Sequence, residues 1–313
     1  MRGSPALLIM QYGILPTPRR LPLHPFKYIA PENIDQVLNL LSEYGERARL
    51  LAGGTDILVQ TRTGRFDLDA LIDLKHIAET TKLILGPEGL VLGAAVPCYQ
   101  IYENPEIVAS YPGITDAASL IGGIQIQSRA SLGGNLCNST PSADGICPLI
   151  VHNSTANIVG LNGPKSIPVE EFCTGPGKNI LAKGEFLVSI DIPAPKSGFG
   201  SAYERFIPRN EMDIAVAGVA SSIQLSDDGN TIEAARVALA AVGPTPIVAE
   251  TSNQFLIGKQ PSEESFYEAA ELAASAASPI DDMRGDIEFR QKLVNVLTRR
   301  TLNTALKRAR SNS

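Results

Sequence analysis

The 313-residue chain contains no tryptophan, and aromatic residues make up only 5% of it. It has four cysteines, Cys98, Cys137, Cys147 and Cys173, and no two of them form a Cys-x-x-Cys pair. That spacing argues against a zinc site, and so few cysteines in so long a chain argue against a disulfide framework. The expectation is reduced thiols, no metal bound by this chain, and a cytoplasmic setting. The three histidines, His24, His76 and His152, sit in unrelated contexts. Neither Gly-x-Ser-x-Gly nor His-Glu-x-x-His occurs, which removes the common hydrolase and zinc-protease signatures. Positive charge is also short: 27 Lys and Arg face 33 Asp and Glu, a net charge of −6. Nucleic acid and anionic membrane surfaces need a basic face, and no basic cluster with interleaved aromatics supplies one. The short basic run KRAR near the C-terminus reads as a solvated helix tip. No apolar run approaches the roughly 20 residues of a membrane span. The run ALLIM at residues 6–10 is too short even for the apolar part of a signal peptide. Residues 1–24, rich in proline, read as an extended N-terminal arm.

What the chain does have is length for about two domains and 44% hydrophobic residues, enough for a substantial core. Ile34, Val37, Leu38 and Leu41 recur at helical spacing, with Pro31 in the first turn and Gly45 at the end. A buried strand over residues 49–52 follows, and DALIDLK and GLVLGAAV are further short strands. Residues 25–95 thus read as one small α/β unit. A second unit spans 96–197. It has a helical stretch interrupted by Pro112, a long Gly, Ser and Asn-rich loop over 121–144, an Asn162-Gly163 hairpin, and the strand EFLVSIDIP. Residues 198–313 form a third pattern. Two long strands flank Asp228-Gly229, and helices follow at about 245–257, 263–277 and 287–309. No internal repeat is present.

Two stretches can carry chemistry. The first is LLAGGTDI, residues 50–57, where Gly53 and Gly54 interrupt two apolar runs. Glycines after a buried strand let backbone N–H groups converge on an anion such as a pyrophosphate, and Thr55 adds a hydroxyl. A Cβ at Gly54 is expected to fill that space. The second is IGGIQIQSRASLGGNLCNSTPSAD, residues 121–144, with two more Gly-Gly pairs and many small hydrogen-bonding side chains. A loop this long is usually functional, and the apolar residues threaded through it argue that it is ordered. Asp144 reads either as a ligand for hydroxyl groups or as a turn aspartate. GPGKNI at 175–180 matches neither a Rossmann fingerprint nor a P-loop.

In order and wording, APENIDQVLNLL, LLAGGTDI, IGGIQIQSRASLGGN, TPSAD, EFLVSIDIP and GSAYERF resemble the FAD-binding medium subunits of molybdenum hydroxylases. This family includes carbon monoxide dehydrogenase and the flavin domain of xanthine dehydrogenase, and the resemblance runs from about Phe26 to the C-terminus. It implies an α+β protein: a two-subdomain FAD-binding fold of the vanillyl-alcohol oxidase type, then a C-terminal domain of antiparallel sheet and helices. It also implies noncovalent FAD. Leu50, Leu51, Ala52, Gly53, Gly54, Thr55, Asp56 and Ile57 would wrap the pyrophosphate. Ile121, Gly122 and Gly123 would run beside the flavin and its ribityl chain. Ser131, Gly133, Gly134 and Asn135 would make the second phosphate and ribityl contact. Asp144 would point to the ribose and adenosine end, Leu187 would pack near the ring system, and Tyr203 would cover one flavin face.

The same resemblance implies partners: a molybdopterin-binding large subunit and a [2Fe-2S] small subunit, assembled as a dimer of heterotrimers. The chain would pass electrons from the [2Fe-2S] partner to an external acceptor, and it carries no catalytic residues for the organic substrate. Glu204 departs from the family, in which many members have a basic residue directly after the aromatic. One branch carries an iron–sulfur insert near the position of Cys137, but no four-cysteine insert follows here. Two rival readings are a self-sufficient FAD oxidase or reductase and a flavin-free scaffold. The glycine loops speak against the scaffold, which has no need of them.

Overall fold

The computed structural model describes residues 25–209 and 212–312. The N-terminal arm lies outside the described residues.

The chain begins with a three-stranded parallel sheet. Lys27–Ile29 and Ala48–Leu51 both pair with Ala70–Asp73, which lies between them. Parallel neighbours need a crossover, and the helix Ile34–Tyr44 provides it. Asn33 caps this helix by accepting from the Gln36 amide at 3.0 Å, so Pro31 stands before the cap rather than in the first turn. Gly45 ends the helix at φ 55°, as its position in the sequence predicts.

The second sheet is antiparallel, in the order Leu83–Gly86, Gly89–Gly93, Phe186–Pro193, Thr155–Gly160, Gly163–Pro168. Its central strand comes from EFLVSIDIP, and the Asn162-Gly163 turn joins the last two strands. The strands at 83–93 therefore belong to this sheet and not to the first. Sheet membership changes near residues 74–82 instead of 95, because Gly89–Gly93 finds its partner in Phe186–Pro193. Between residues 93 and 155 lies a layer of short helices whose apolar faces close the main core. Ile107, Tyr111, Ile114, Leu132, Leu136, Ile146 and Leu149 are all buried there.

The stretch 121–144 is more regular than its composition predicts. It holds the short helices Ile124–Gln127 and Leu132–Asn138. Ser131 caps the latter, accepting from the Gly134 amide at 3.0 Å. Helix formation prevails over two glycines because the apolar residues Leu132 and Leu136, spaced by four, are drawn into the core.

The third sheet runs Phe199–Phe206, Ala217–Leu225, Ile232–Ala240, Ile247–Val248, all antiparallel. The helices Glu250–Leu256, Glu263–Ala276 and Ile287–Ser311 cover it. The first of these starts later than residue 245 because Ile247 and Val248 pair with Leu239 and Ala238. The long final helix touches the strand Phe199–Phe206 so closely that a Cβ on Gly200 would stand 2.1 Å from the Ala305 carbonyl oxygen. Arg308 on that helix grips Asp116 with two bonds of 2.6 and 2.9 Å, tying the third sheet to the helical layer of the second. No helix among the described residues is long and apolar enough to cross a membrane.

Candidate cofactor site

A cleft of about 850 Å³ opens where the three sheets meet, at the upper end of the size range for sites that bury a small molecule. It gathers both glycine-rich stretches. Leu50, Ala52, Gly53, Gly54, Thr55, Asp56 and Ile57 line it from the end of the strand Ala48–Leu51. Ile121, Gly122, Ser131, Gly133, Gly134, Asn135 and Asp144 line it from the helical layer, and Leu187 lines it from the central strand of the second sheet. Three of the sequence-predicted residues stand apart. Leu51 turns into the small core with Leu68 and Leu71. Gly123 caps the helix Ile124–Gln127. Tyr203 is 3% exposed and is not on the cleft wall.

The glycines divide into two roles. A Cβ on Gly53 would meet the Arg129 carbonyl oxygen at 2.1 Å, and one on Gly133 would meet the Ala94 carbonyl oxygen at 2.4 Å. These two let the glycine stretches dock against neighbouring backbone. Gly54 has φ +80°, and its Cβ would run into Leu51 and Leu58 rather than into the cleft. The expectation that Gly54 keeps the ligand space clear is therefore corrected: it makes the turn. Gly134 faces the cleft. A Cβ there would have only Ser131 Oγ at 3.0 Å and Ala52 Cβ at 3.9 Å as neighbours.

At the floor, Asp144 accepts from Arg205 Nη1 at 2.5 Å and from the Tyr203 hydroxyl at 2.7 Å. Arg205 Nη2 also donates to the Leu120 carbonyl at 2.8 Å, which fixes the start of the Ile121-Gly122 turn. Burial drives the Asp144 carboxyl up to about 6, against the pull of Arg205 and Tyr203. Tyr203 has its hydroxyl engaged and its ring enclosed, so its surroundings are those of a core residue rather than of a stacking lid. Position 204 holds Glu204, half-buried and 3.9 Å from Arg300. The cation that serves the cleft comes one residue later, from Arg205, whose buried Nε has no partner among the described residues. That alternation was available in GSAYERF, since neighbours on a strand point to opposite faces.

Sequence reasoning also missed the rim. Met212, Asp213, Ile214 and Ala215 line the cleft, and Ile214 is half exposed. Arg49, Arg65 and Phe66 line it too. No glycine pattern marks these residues.

Several bland features bound the chemistry. His152 lies between Tyr111 and Phe199, its Nε2 2.9 Å from Ser201 Oγ, and burial lowers it to about 3. It is neutral and enclosed, so Ser201 and His152 do not form an exposed nucleophile and base. Cys137 lines the cleft, but burial pushes its thiol up to about 12, which keeps it protonated. Among the described residues, no group of three or more His, Cys, Asp or Glu could hold a metal ion.

A glycine-lined cleft of this size, with no metal-ligand cluster among the described residues, has the form of a cofactor site in an α+β protein. Residues 24–195 match the family model described as the FAD binding domain in molybdopterin dehydrogenase, and residues 201–305 match the CO dehydrogenase flavoprotein C-terminal domain. The carbon monoxide dehydrogenase medium chain of Hydrogenophaga pseudoflava is 30% identical, with 90% of this chain and 96% of that protein covered. The xanthine dehydrogenase FAD-binding subunit of Escherichia coli is 31% identical over 89% of this chain and 95% of its own length. In three dimensions, the carbon monoxide dehydrogenase structure from Hydrogenophaga pseudoflava superposes with a TM-score of 0.86 at 31% identity, covering 90% of this chain and 98% of its own. Quinoline 2-oxidoreductase from Pseudomonas putida does so with 0.84 at 26% identity, covering 92% and 99%. The chain belongs to the family of FAD-binding flavoprotein subunits of molybdopterin dehydrogenases.

Proposed function

We propose that the chain binds FAD noncovalently in this cleft and serves as the electron-transfer subunit of a molybdenum-dependent hydroxylase or dehydrogenase. The observation that carries the reading is the cleft itself. It collects two glycine-rich stretches from different sheets, and Gly134 presents bare backbone to it where a Cβ would protrude. The residues fit a flavin dinucleotide. Gly53 to Ile57 offer backbone amides to a diphosphate, Ser131 and Asn135 offer small polar groups to a polyol chain, and Ile121, Ile126 and Ile214 offer apolar surface to a flat ring. When bound, FAD supplies redox chemistry that can run by one or two electrons, which suits a relay between [2Fe-2S] clusters and an external acceptor.

This chain's own part is to hold and shield. The ion pair of Arg205 with Asp144, and its bond to the Leu120 carbonyl, keep the Ile121-Gly122 turn in place. The partners are a molybdopterin-binding large subunit and a [2Fe-2S] small subunit, and the assembly is a dimer of heterotrimers in the cytoplasm. Support comes from the relatives, which are medium chains of multisubunit dehydrogenases and align over nearly their whole length. The four free cysteines accord with a reducing compartment. Residues 25–197 carry the cofactor, and the domain from residue 198 onward completes the cleft through Arg205 and the rim residues Met212, Asp213, Ile214 and Ala215.

The test is to purify the chain and record its visible spectrum and its cofactor after denaturation. A yellow protein that releases one FAD per chain supports the reading. A colourless protein that takes up no added FAD rejects it.

A further inference from the structure

The three strands of the first sheet bring a chain of polar side chains to the cleft from behind. Asp73 ends the central strand Ala70–Asp73, and its side chain is 2% exposed. Its Oδ2 accepts from the hydroxyl of Tyr28, on the strand Lys27–Ile29. Its Oδ1 accepts from Lys75 Nζ at 2.7 Å and from the Lys75 amide at 2.9 Å. Burial alone would raise the Asp73 carboxyl, but the bonds from Lys75 and Tyr28 hold it below its usual value, so it stays ionised. His76 is exposed, with Nε2 3.8 Å from Asp73 Oδ2. Lys75 Nζ also donates to the Ala52 carbonyl at 3.0 Å, just past the end of the strand Ala48–Leu51. Ala52 lines the cleft, so Lys75 grips the wall from its far side.

The bond to Ala52 fixes more than one carbonyl. A trans peptide is planar, and its C=O and N–H point in opposite directions. Holding the Ala52 carbonyl toward Lys75 therefore turns the Gly53 N–H away from Lys75. Among the described residues, the amides of Gly53, Gly54, Thr55 and Asp56 donate to no backbone acceptor. Successive free amides of this kind are a donor set for an anion. Glycine peptides are also the easiest to rotate, so the set keeps its aim only if something outside the turn holds it. Gly54, at φ +80°, supplies the bend, and Lys75 fixes the peptide that enters it. The hold is built with care for its direction. Tyr28 occupies one oxygen of the buried carboxylate, which leaves the other to aim the Lys75 ammonium at Ala52.

We infer that Lys75, aimed by Asp73 and Tyr28, is a positioning residue for the cofactor: it holds the Ala52-Gly53 peptide so that the amides of the Gly53-to-Asp56 turn stay free and fixed for the ligand. The inference rests on the FAD reading given above. Lys75 acts through the backbone of Ala52 and touches no cofactor atom itself. Without the ammonium the Ala52 carbonyl can swing, the Gly53 N–H swings with it, and binding must then pay to order the turn. A guanidinium at position 75 has donors for the same carboxylate and the same carbonyl.

The experiment uses the full chain stripped of cofactor, as wild type, Lys75→Met, Lys75→Arg and Tyr28→Phe. Each is titrated with FAD, and the melting temperature of the cofactor-free chain is recorded beside it. Lys75→Met should lower FAD affinity about tenfold or more, the scale of one lost hydrogen bond from a charged group. Its melting temperature should stay within a few degrees of wild type, and at saturating FAD its visible spectrum should match the wild type's, because the flavin ring lies away from the turn. Lys75→Arg should restore most of the affinity. FAD affinity within twofold of wild type in Lys75→Met overturns the role and leaves the FAD reading standing. A weak Lys75→Met with an altered flavin spectrum, or a Lys75→Arg as weak as Lys75→Met, overturns it as well. Should Lys75→Met fail to fold, Tyr28→Phe decides: at an unchanged melting temperature it should weaken FAD about threefold or more, and a loss under twofold overturns the role. A wild type that binds no FAD rejects the cofactor reading, and the positioning role with it.

Discussion

Arg205 Nη1 stands 2.5 Å from Asp144 Oδ2, and both side chains are more than nine-tenths buried. Asp144 closes TPSAD in the helical layer, while Arg205 sits on the first strand of the third sheet, so one ion pair welds two parts of the chain under the cleft. Removing one partner of a buried pair strands the other charge, at a cost of about 3–5 kcal/mol. Arg205→Met should therefore lower unfolding stability by an amount of that order, read from denaturant midpoints. The double variant Arg205→Met with Asp144→Asn should recover much of the loss, because no charge is then left unpaired. A single variant as stable as wild type would show that the pair is solvated in solution.

The same carboxyl sets a pH dependence. Burial raises Asp144 from an ordinary 3.8 to about 6 in the folded chain. Between those values the folded state holds a proton that the unfolded state has released. This group's contribution to stability therefore falls as pH rises from 3.8 to about 6, and it is level above that. Thermal melts of wild type and Asp144→Asn across this range should diverge. The wild type should lose stability with rising pH relative to the variant, and parallel curves would place the carboxyl near its ordinary value.

The glycines give a third test, in which two neighbouring substitutions should fail differently. Gly53→Ala drives a methyl into the Arg129 carbonyl, so it should destabilise the fold and reduce soluble yield. Gly134→Val adds bulk where only Ser131 Oγ and Ala52 Cβ are near. It should keep the melting temperature within a few degrees while FAD affinity falls at least tenfold. Retained stoichiometric FAD in folded Gly134→Val would show that Gly134 does not border the cofactor.

These contrasts show what the sequence made legible. The helix Ile34–Tyr44, the hairpin at Asn162-Gly163 and the long strands around Asp228-Gly229 follow from local periodicity and turn chemistry, and all form where expected. Sheet membership at 83–93 does not follow, because the partner strand lies almost a hundred residues away. Gly-Gly pairs announced the cleft, but not which glycine bears on the ligand and which docks backbone on backbone. That depends on what lies opposite each Cα, a long-range property. Tyr203 and Arg205 illustrate the same limit. The strand alternation in GSAYERF says they share a face, but not that Asp144 waits on that face for both.

The last prediction concerns dependence on partners. Hydroxylation of an organic substrate needs an activated oxygen or base held in a dry pocket. Among the described residues there is no metal-ligand cluster, and the one buried histidine near a hydroxyl is held neutral between two aromatic rings. Asp144, shifted toward neutrality by burial, is locked to Arg205 and Tyr203 and has no freedom to move a substrate proton. The expectation is that this chain holds and shields a redox cofactor and that the oxidation starts on another subunit. Mixed anaerobically with the substrate of the intact complex, the isolated FAD-loaded chain should keep its visible absorbance. Adding the molybdenum and [2Fe-2S] subunits should bleach it within the turnover time of the complex, and readmitted acceptor should restore it. Bleaching by substrate in the absence of those subunits would mean that this chain carries a substrate site of its own.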